Sequence, residues 1–255
     1  MSGILSAFVG LSKREIIRFL RQRSRLIGAL ITPLLFWVLI GFGIGSSFQN
    51  PAGSGQGGYL QFFFPGMLLL SVLFTAIFST ISVIEDRHHG FLQGVLVSPQ
   101  PKIVFLLAKV YGASLLATIQ GALLLIPAPF MGIHLGLENL IGIFTLLFLT
   151  ASTLTTLGFL LAWKMDSVAG YHSMMNILLF PMWLLSGSLF PLENRGPFFY
   201  LLSKINPLSY AVKAIRELFE VGYTGFSLEK IAVLGIFFLT FLSLSYFYLE
   251  NEKVA

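Results

Sequence analysis

Residues 85–102 read EDRHHGFLQGVLVSPQPK, after a stretch of 59 residues, 26–84, with no Asp, Glu, Lys or Arg. Glu85, Asp86, Arg87, His88 and His89 put two carboxylates, a guanidinium and two imidazoles in consecutive positions. Metal binding is a poor fit for them. There is no H-E-x-x-H spacing, and adjacent histidines on a helix point about 100° apart. Nucleophilic catalysis needs a base held against the nucleophile. Ser186 and Gly187 in LLSGSLF have no histidine after them, since the last is His172. His172 and Ser173 are neighbours, and a polar contact between helices explains them as well as chemistry does. The chain has no G-x-x-x-x-G-K phosphate loop and no cysteine, so thiolate chemistry and Cys-ligated metal are excluded. No catalytic, metal or cofactor-binding residue is expected in this chain.

The elements that position these groups follow from composition. Hydrophobic residues make up 56% and charged residues 11%, against about 25% charged in ordinary globular proteins. So much apolar surface requires lipid as solvent, and an integral membrane protein is expected. The net charge of +5 fits basic residues held at the cytoplasmic side. No aromatic-basic or zinc-finger pattern points to nucleic acid. Six runs are long enough to cross about 30 Å of hydrocarbon: 26–48, 61–84, 103–131, 139–163, 167–190 and 231–249. Each must be a helix, because an unpaired strand leaves backbone groups unsatisfied in lipid. Pro127 and Pro129 are expected to terminate or kink the third run. The glycine-rich segment 49–58 reads as a flexible loop. With both termini in the cytoplasm, eleven of the sixteen Lys and Arg lie inside, which is the orientation the positive-inside rule favours. No ionisable residue is expected within the spans, since Glu138, Lys164, Asp166 and Lys230 fall at their ends. Any transport would then lack a built-in proton relay and draw energy from another chain.

The first 25 residues are not expected to belong to a cleaved signal peptide, because the basic region is too long and the apolar run behind it is long enough to span. Arg14, Arg18, Arg21 and Arg25 recur at steps of four, three and four, which places them on one helical face. An amphipathic helix on the inner leaflet is expected, its arginines toward lipid phosphates. A basic anchor that only sets topology fits equally.

Between spans two and three the pattern Asp86, Arg87, Gly90, Leu92, Ser98, Pro99, Lys109 resembles the cytoplasmic loop of ABC-2 type transporter permeases. Phe91 and Gln93 stand where that family often has Thr and Glu. Towards the C-terminus Ser186-Gly187, Phe190-Pro191, Asn206-Pro207-Leu208-Ser209-Tyr210 and Arg216 resemble the family's fifth span and outer segment. The resemblance covers nearly the whole chain. It implies the permease half of an ATP-binding-cassette exporter in the cytoplasmic (inner) membrane, all-helical and paired with a second permease chain as a homodimer. Two copies of a separate ATPase subunit would hold the ATP and Mg. Residues 85–102 would form the ATPase-coupling element, with Glu85, Asp86, Arg87, Gly90, Leu92 and Pro99 as its site residues, although an ordinary polar turn also fits. The cargo implied is hydrophobic or amphipathic: a drug, a lipid or a lipid-linked glycan. A non-transporting membrane scaffold is the alternative, and an intramembrane enzyme a weaker one.

Segment 191–229 is long for a simple connection. In it Val212, Ile215, Leu218 and Phe219 share one helical face, and Lys213, Arg216, Glu217 and Glu220 the other. A helix of thirteen residues rises only about 20 Å, too little to span. A re-entrant helical hairpin is expected, broken at Asn206-Pro207 and closing the outer exit, with Tyr210 and Arg216 at the gate. A loop resting on the outer leaflet is the alternative.

Overall fold

The computed structural model describes residues 2–45, 58–133, 135–192, 196–222 and 227–251, and is all-helical over them. The loop expected at 49–58 falls almost wholly outside the described residues. Helices α1 (Ser2–Arg21) and α2 (Arg23–Gly45) are separated at Gln22. Then come α3 (Tyr59–His88), α4 (Phe91–Leu96), α5 (Lys102–Leu123), a 3-10 turn (Ala128–Met131) and α6 (Leu137–Trp163). The fifth span is α7 (Val168–Met174) and α8 (Phe180–Trp183), with π-helical turns at Met175–Leu179 and Leu184–Ser188. α9 (Pro197–Ile205), α10 (Pro207–Glu220) and α11 (Leu228–Glu250) complete the chain. Among the described residues, six helical stretches are long and apolar enough to cross a membrane.

The central helix is α3, enclosed by α2, α5, α6 and α10, with Phe63, Phe64, Met67 through Leu70 and Val83 fully buried. By contrast α2 and α11 present Leu35, Leu39, Phe42, Ile236, Leu239 and Phe247 outward, as helices bordering lipid should. The third span ends at Leu123, earlier than expected. Pro127 has no N–H to give the Leu123 carbonyl, so the α-helical ladder stops there. The fifth span is broken where a plain helix was expected. Pro181 removes a donor and its ring excludes the carbonyl four residues back, and one π turn lies just before it. Leu185 and Gly187 then leave helical geometry, Gly187 with φ +86°.

Side-chain contacts sort the connections into two ends. At one end α1 packs along α5, Arg87 donates to the carbonyls of Trp163 and Met165, and Lys102 Nζ donates to those of Leu249 and Glu250. At the other, Gln61 donates to the Met131 carbonyl, Tyr59 to Leu189 O at 3.0 Å, and Arg216 to Phe62 O and Gly187 O. Thus α1, the loop 85–102, the 163–166 connection and the end of α11 share one end, and α9–α10 sit at the opposite one. This is the sidedness that six spans demand.

Candidate functional site

The site at the α4 end starts where α3 runs out. Gly90 takes φ +72°, ψ 0°, a left-handed conformation that glycine adopts without a Cβ clash. It turns the chain into the six-residue α4. Leu92 is the buried foot of this short helix. Gln93, Gly94 and Val97 face outward beside His88, His89 and Gly90. Ser98 and Pro99 form the bend into α5, and the Ser98 hydroxyl donates to Val95 O at 2.8 Å.

The loop's charges are turned into the bundle. Asp86 is 1% exposed. Its carboxylate accepts from Arg14 through both guanidinium amino groups (2.7 and 3.3 Å), from Arg18 at 2.6 Å, and from Lys109 Nζ at 2.7 Å. Glu85 pairs with Arg18 at 2.6 Å and Arg25 at 2.8 Å. Arg14 also pairs with Glu15 at 3.1 Å and lies over the Phe91 ring of α4, 3.7 Å from its centroid. Phe91, the departure from the frequent Thr, therefore has a use as a cation–π platform. Burial works against the Arg18 charge, but the carboxylates of Asp86 and Glu85 outweigh it and raise its pKa above the ordinary arginine value.

Two expectations are corrected here. Arg14, Arg18 and Arg25 face carboxylates of α3 rather than lipid phosphates. Of that basic face, Arg21 alone is exposed. Ionised carboxylates beside an apolar core must be paired, and the arginine face of α1 supplies the cations. For the same reason Glu85, Asp86 and Arg87 are internal ties and not an outward charged surface. The chain's interior also holds an ionisable side chain that was not expected. Lys109 lies two turns inside α5, about 10 Å from its start, and is 4% exposed. It bonds Asp86, Glu15 and Ser82, the last two at 2.8 Å. Glu15 and Ser82 are functional candidates that the sequence pattern missed, and Lys109 was legible only as part of the family's loop pattern, not as a buried charge. The signals were a lone lysine in an apolar run and a lone acid on a basic helix.

At the opposite end Asn206 accepts from Leu208 N at 3.0 Å, capping α10, and donates to Met182 O at 2.6 Å. Pro207 takes the first helical position, where its missing N–H costs nothing. The α10 face expected to pack does so: Val212, Ile215 and Leu218 are fully buried against neighbouring helices. Tyr210 donates to Lys204 O at 3.1 Å. Arg216, expected on the water face, turns inward. Its guanidinium donates to Phe62 O and Gly187 O and lies 4.1 Å from the Phe62 ring centroid. Glu217 pairs with Lys230 of α11.

These features define a multi-pass, all-helical membrane protein with a short helix braced at one end by buried ion pairs. The chain matches the family model for the ABC-2 type transporter over residues 6–219, and it belongs to that family of transport permeases. Such permeases generally work with an ATPase partner. A relative named as a transport permease, ycf38, of Cyanophora paradoxa is 31% identical over 215 residues, 82% of this chain and 73% of that one. The inner membrane transport permease YadH of Escherichia coli is 25% identical, covering 89% of this chain and 88% of its own. Nodulation protein J of Neorhizobium galegae is also 25% identical, over 84% and 81%.

Proposed function

We propose that the chain is the permease subunit of an ATP-driven exporter that moves a hydrophobic or amphipathic substrate out across the cytoplasmic membrane. Two copies form the pathway, both termini lie in the cytoplasm, and two separate ATPase subunits dock at the α4 end. One observation carries this reading. The short helix α4 stands at the surface on a left-handed glycine, directly after the end of α3, and ion pairs of Glu85 and Asp86 tie that end of α3 to α1, α2 and α5. A push on α4 therefore reaches four helices at once, as coupling to an external motor requires. The face that meets the ATPase is the uncharged one of Gln93, Gly94, Val97 and Pro99 with His88 and His89. The name of the YadH relative supports an inner-membrane location.

Helix α1 would lie on the inner leaflet with its exposed Leu5, Val9, Ile17 and Leu20 toward acyl chains and Arg21 toward phosphates. The broken fifth span leaves His172, Ser173 and Asn176 exposed on a helix otherwise suited to lipid. Polar groups there fit a hydrated route between two copies. The pair α9–α10 forms a re-entrant hairpin over the exit, with Asn206, Pro207, Tyr210 and Arg216 at its break and its anchor.

The test asks whether a P-loop ATPase is encoded beside this chain and co-expresses the two. The wild type should co-purify with that ATPase and alter its rate of ATP hydrolysis. Gly90→Pro fixes φ near −65° where +72° is needed. It should insert normally yet lose the permease-dependent part of hydrolysis. Unchanged hydrolysis and co-purification in that variant would make the loop an ordinary turn, and absence of any associated ATPase would favour the scaffold.

A further inference from the structure

Lys109 and Glu15 lie outside the loop and far from its exposed face, yet both are almost wholly buried, at 4% and 6% exposure. A lysine ammonium has three donors, and all three are used: on Asp86 Oδ2, Glu15 Oε1 and the Ser82 hydroxyl. The Ser82 hydroxyl in turn donates to the other Glu15 oxygen at 2.8 Å. A closed ring of hydrogen bonds thus joins α1, α3 and α5. Its other side holds Arg14, bonded to Asp86 and Glu15 and placed over Phe91 of α4. Chain contact reinforces it. A Cβ at Gly112 of α5 would lie 3.1 Å from Ser12 O and 3.2 Å from Glu15 Cβ, so α1 and α5 meet there nearly backbone to backbone. The Ser12 hydroxyl also donates to Ala108 O at 3.3 Å.

We propose that Lys109 and Glu15 are positioning residues for the coupling helix. They hold Asp86 and Arg14, and through Arg14 the ring of Phe91, so that α1 and α4 move as one body. This rests on the coupling role proposed for α4, but its test does not require an ATPase. Removing Lys109 leaves Asp86 with its two arginines and frees the orientation of its carboxylate. Arg14 then follows Asp86 away from Phe91.

The chain has no cysteine, so cysteines replacing exposed Lys13 on α1 and Val97 beyond α4 can carry spin labels in full-length protein in nanodiscs. With labelled chains diluted into unlabelled ones, pulsed dipolar spectroscopy should give one narrow intra-chain distance for the otherwise wild-type protein. Lys109→Met should give a broadened or two-peaked distribution in the folded, monodisperse fraction. Lys109→Met with Glu15→Gln restores charge balance but not the tether. Its thermal stability should recover while its distances stay broad, whereas a merely structural role makes the two recover together. If Lys109→Met does not fold, the double variant and Ser82→Ala carry the test. A narrow, unshifted distance in the variants that fold overturns the positioning role. It would leave the ATPase-docking role of α4 intact, just as failed docking would leave the distance result standing.

Discussion

The two ends of this bundle are fastened by different chemistry. At the α4 end, carboxylates of Glu15, Glu85 and Asp86 meet Arg14, Arg18, Arg25 and Lys109, and most of these groups serve two or more partners. At the α10 end most ties run from single side chains to main-chain carbonyls: Tyr59 to Leu189, Asn206 to Met182, Arg216 to Phe62 and Gly187, Trp183 to Gly66, beside the Glu217–Lys230 ion pair. The difference has a cause in the backbone. Met182, Gly187 and Leu189 lie in or just after the broken fifth span, where the helical ladder is interrupted and side chains take up main-chain acceptors, whereas Phe62 and Gly66 lie in α3. The α4 end keeps its helices intact but must neutralise carboxylates beside an apolar core. A network of multiply shared charges shifts only as a unit, because any one member leaving strands the rest. Single bonds to carbonyls can be exchanged one at a time. The first arrangement suits transmission of force, and the second suits an end that opens.

This contrast is open to direct attack. The largest effect is expected at the charged end. Asp86→Ala takes one carboxylate from Arg14, Arg18 and Lys109 and leaves them around a void with only Glu15 and Glu85, and removing one partner of a buried ion pair costs about 3–5 kcal/mol. Thermal unfolding in detergent should show a large loss of stability, and a small one would mean that water already screens the cluster. A middle-sized effect is expected at the opposite end from Gly66→Ala. The added methyl would lie 2.5 Å from Ser188 Cβ and 3.0 Å from its Cα, and overpacking of this kind costs about 1–3 kcal/mol. The shift should be local, seen as faster hydrogen exchange around Tyr59 and the fifth span with none at α1. Spread to α1 would show that the two ends are not independent. The smallest effect is expected from Glu217→Gln, which weakens the partly exposed pair with Lys230. Such pairs contribute about 0–1 kcal/mol and are screened by salt. The variant should differ measurably from wild type at low salt only.

Much of the fold was legible because lipid leaves few choices. Long uncharged runs in lipid can only be helices. Gly90 at a turn and Asn206-Pro207 as a break before a helix were readable too, since each is a local preference of backbone geometry. The amphipathic pattern of α10 foretold the burial of Val212, Ile215 and Leu218 but not the inward turn of Arg216.

What the sequence determined by itself, then, was the solvent, the number and order of the spans, and the short helices that interrupt them. All of these follow from runs of residues within one segment. Only the tertiary structure decided where the charges point. An arginine at helical spacing faces lipid phosphate or a carboxylate equally well until a second helix brings that carboxylate near. Arg14 and Asp86 are 72 positions apart, and Lys109 and Glu15 are 94 apart. The energy of a buried charge depends on its partners and not on its own neighbours in the chain. That is why Lys109 is an oddity in an apolar run when read along the sequence, and the centre of a network once the helices are packed.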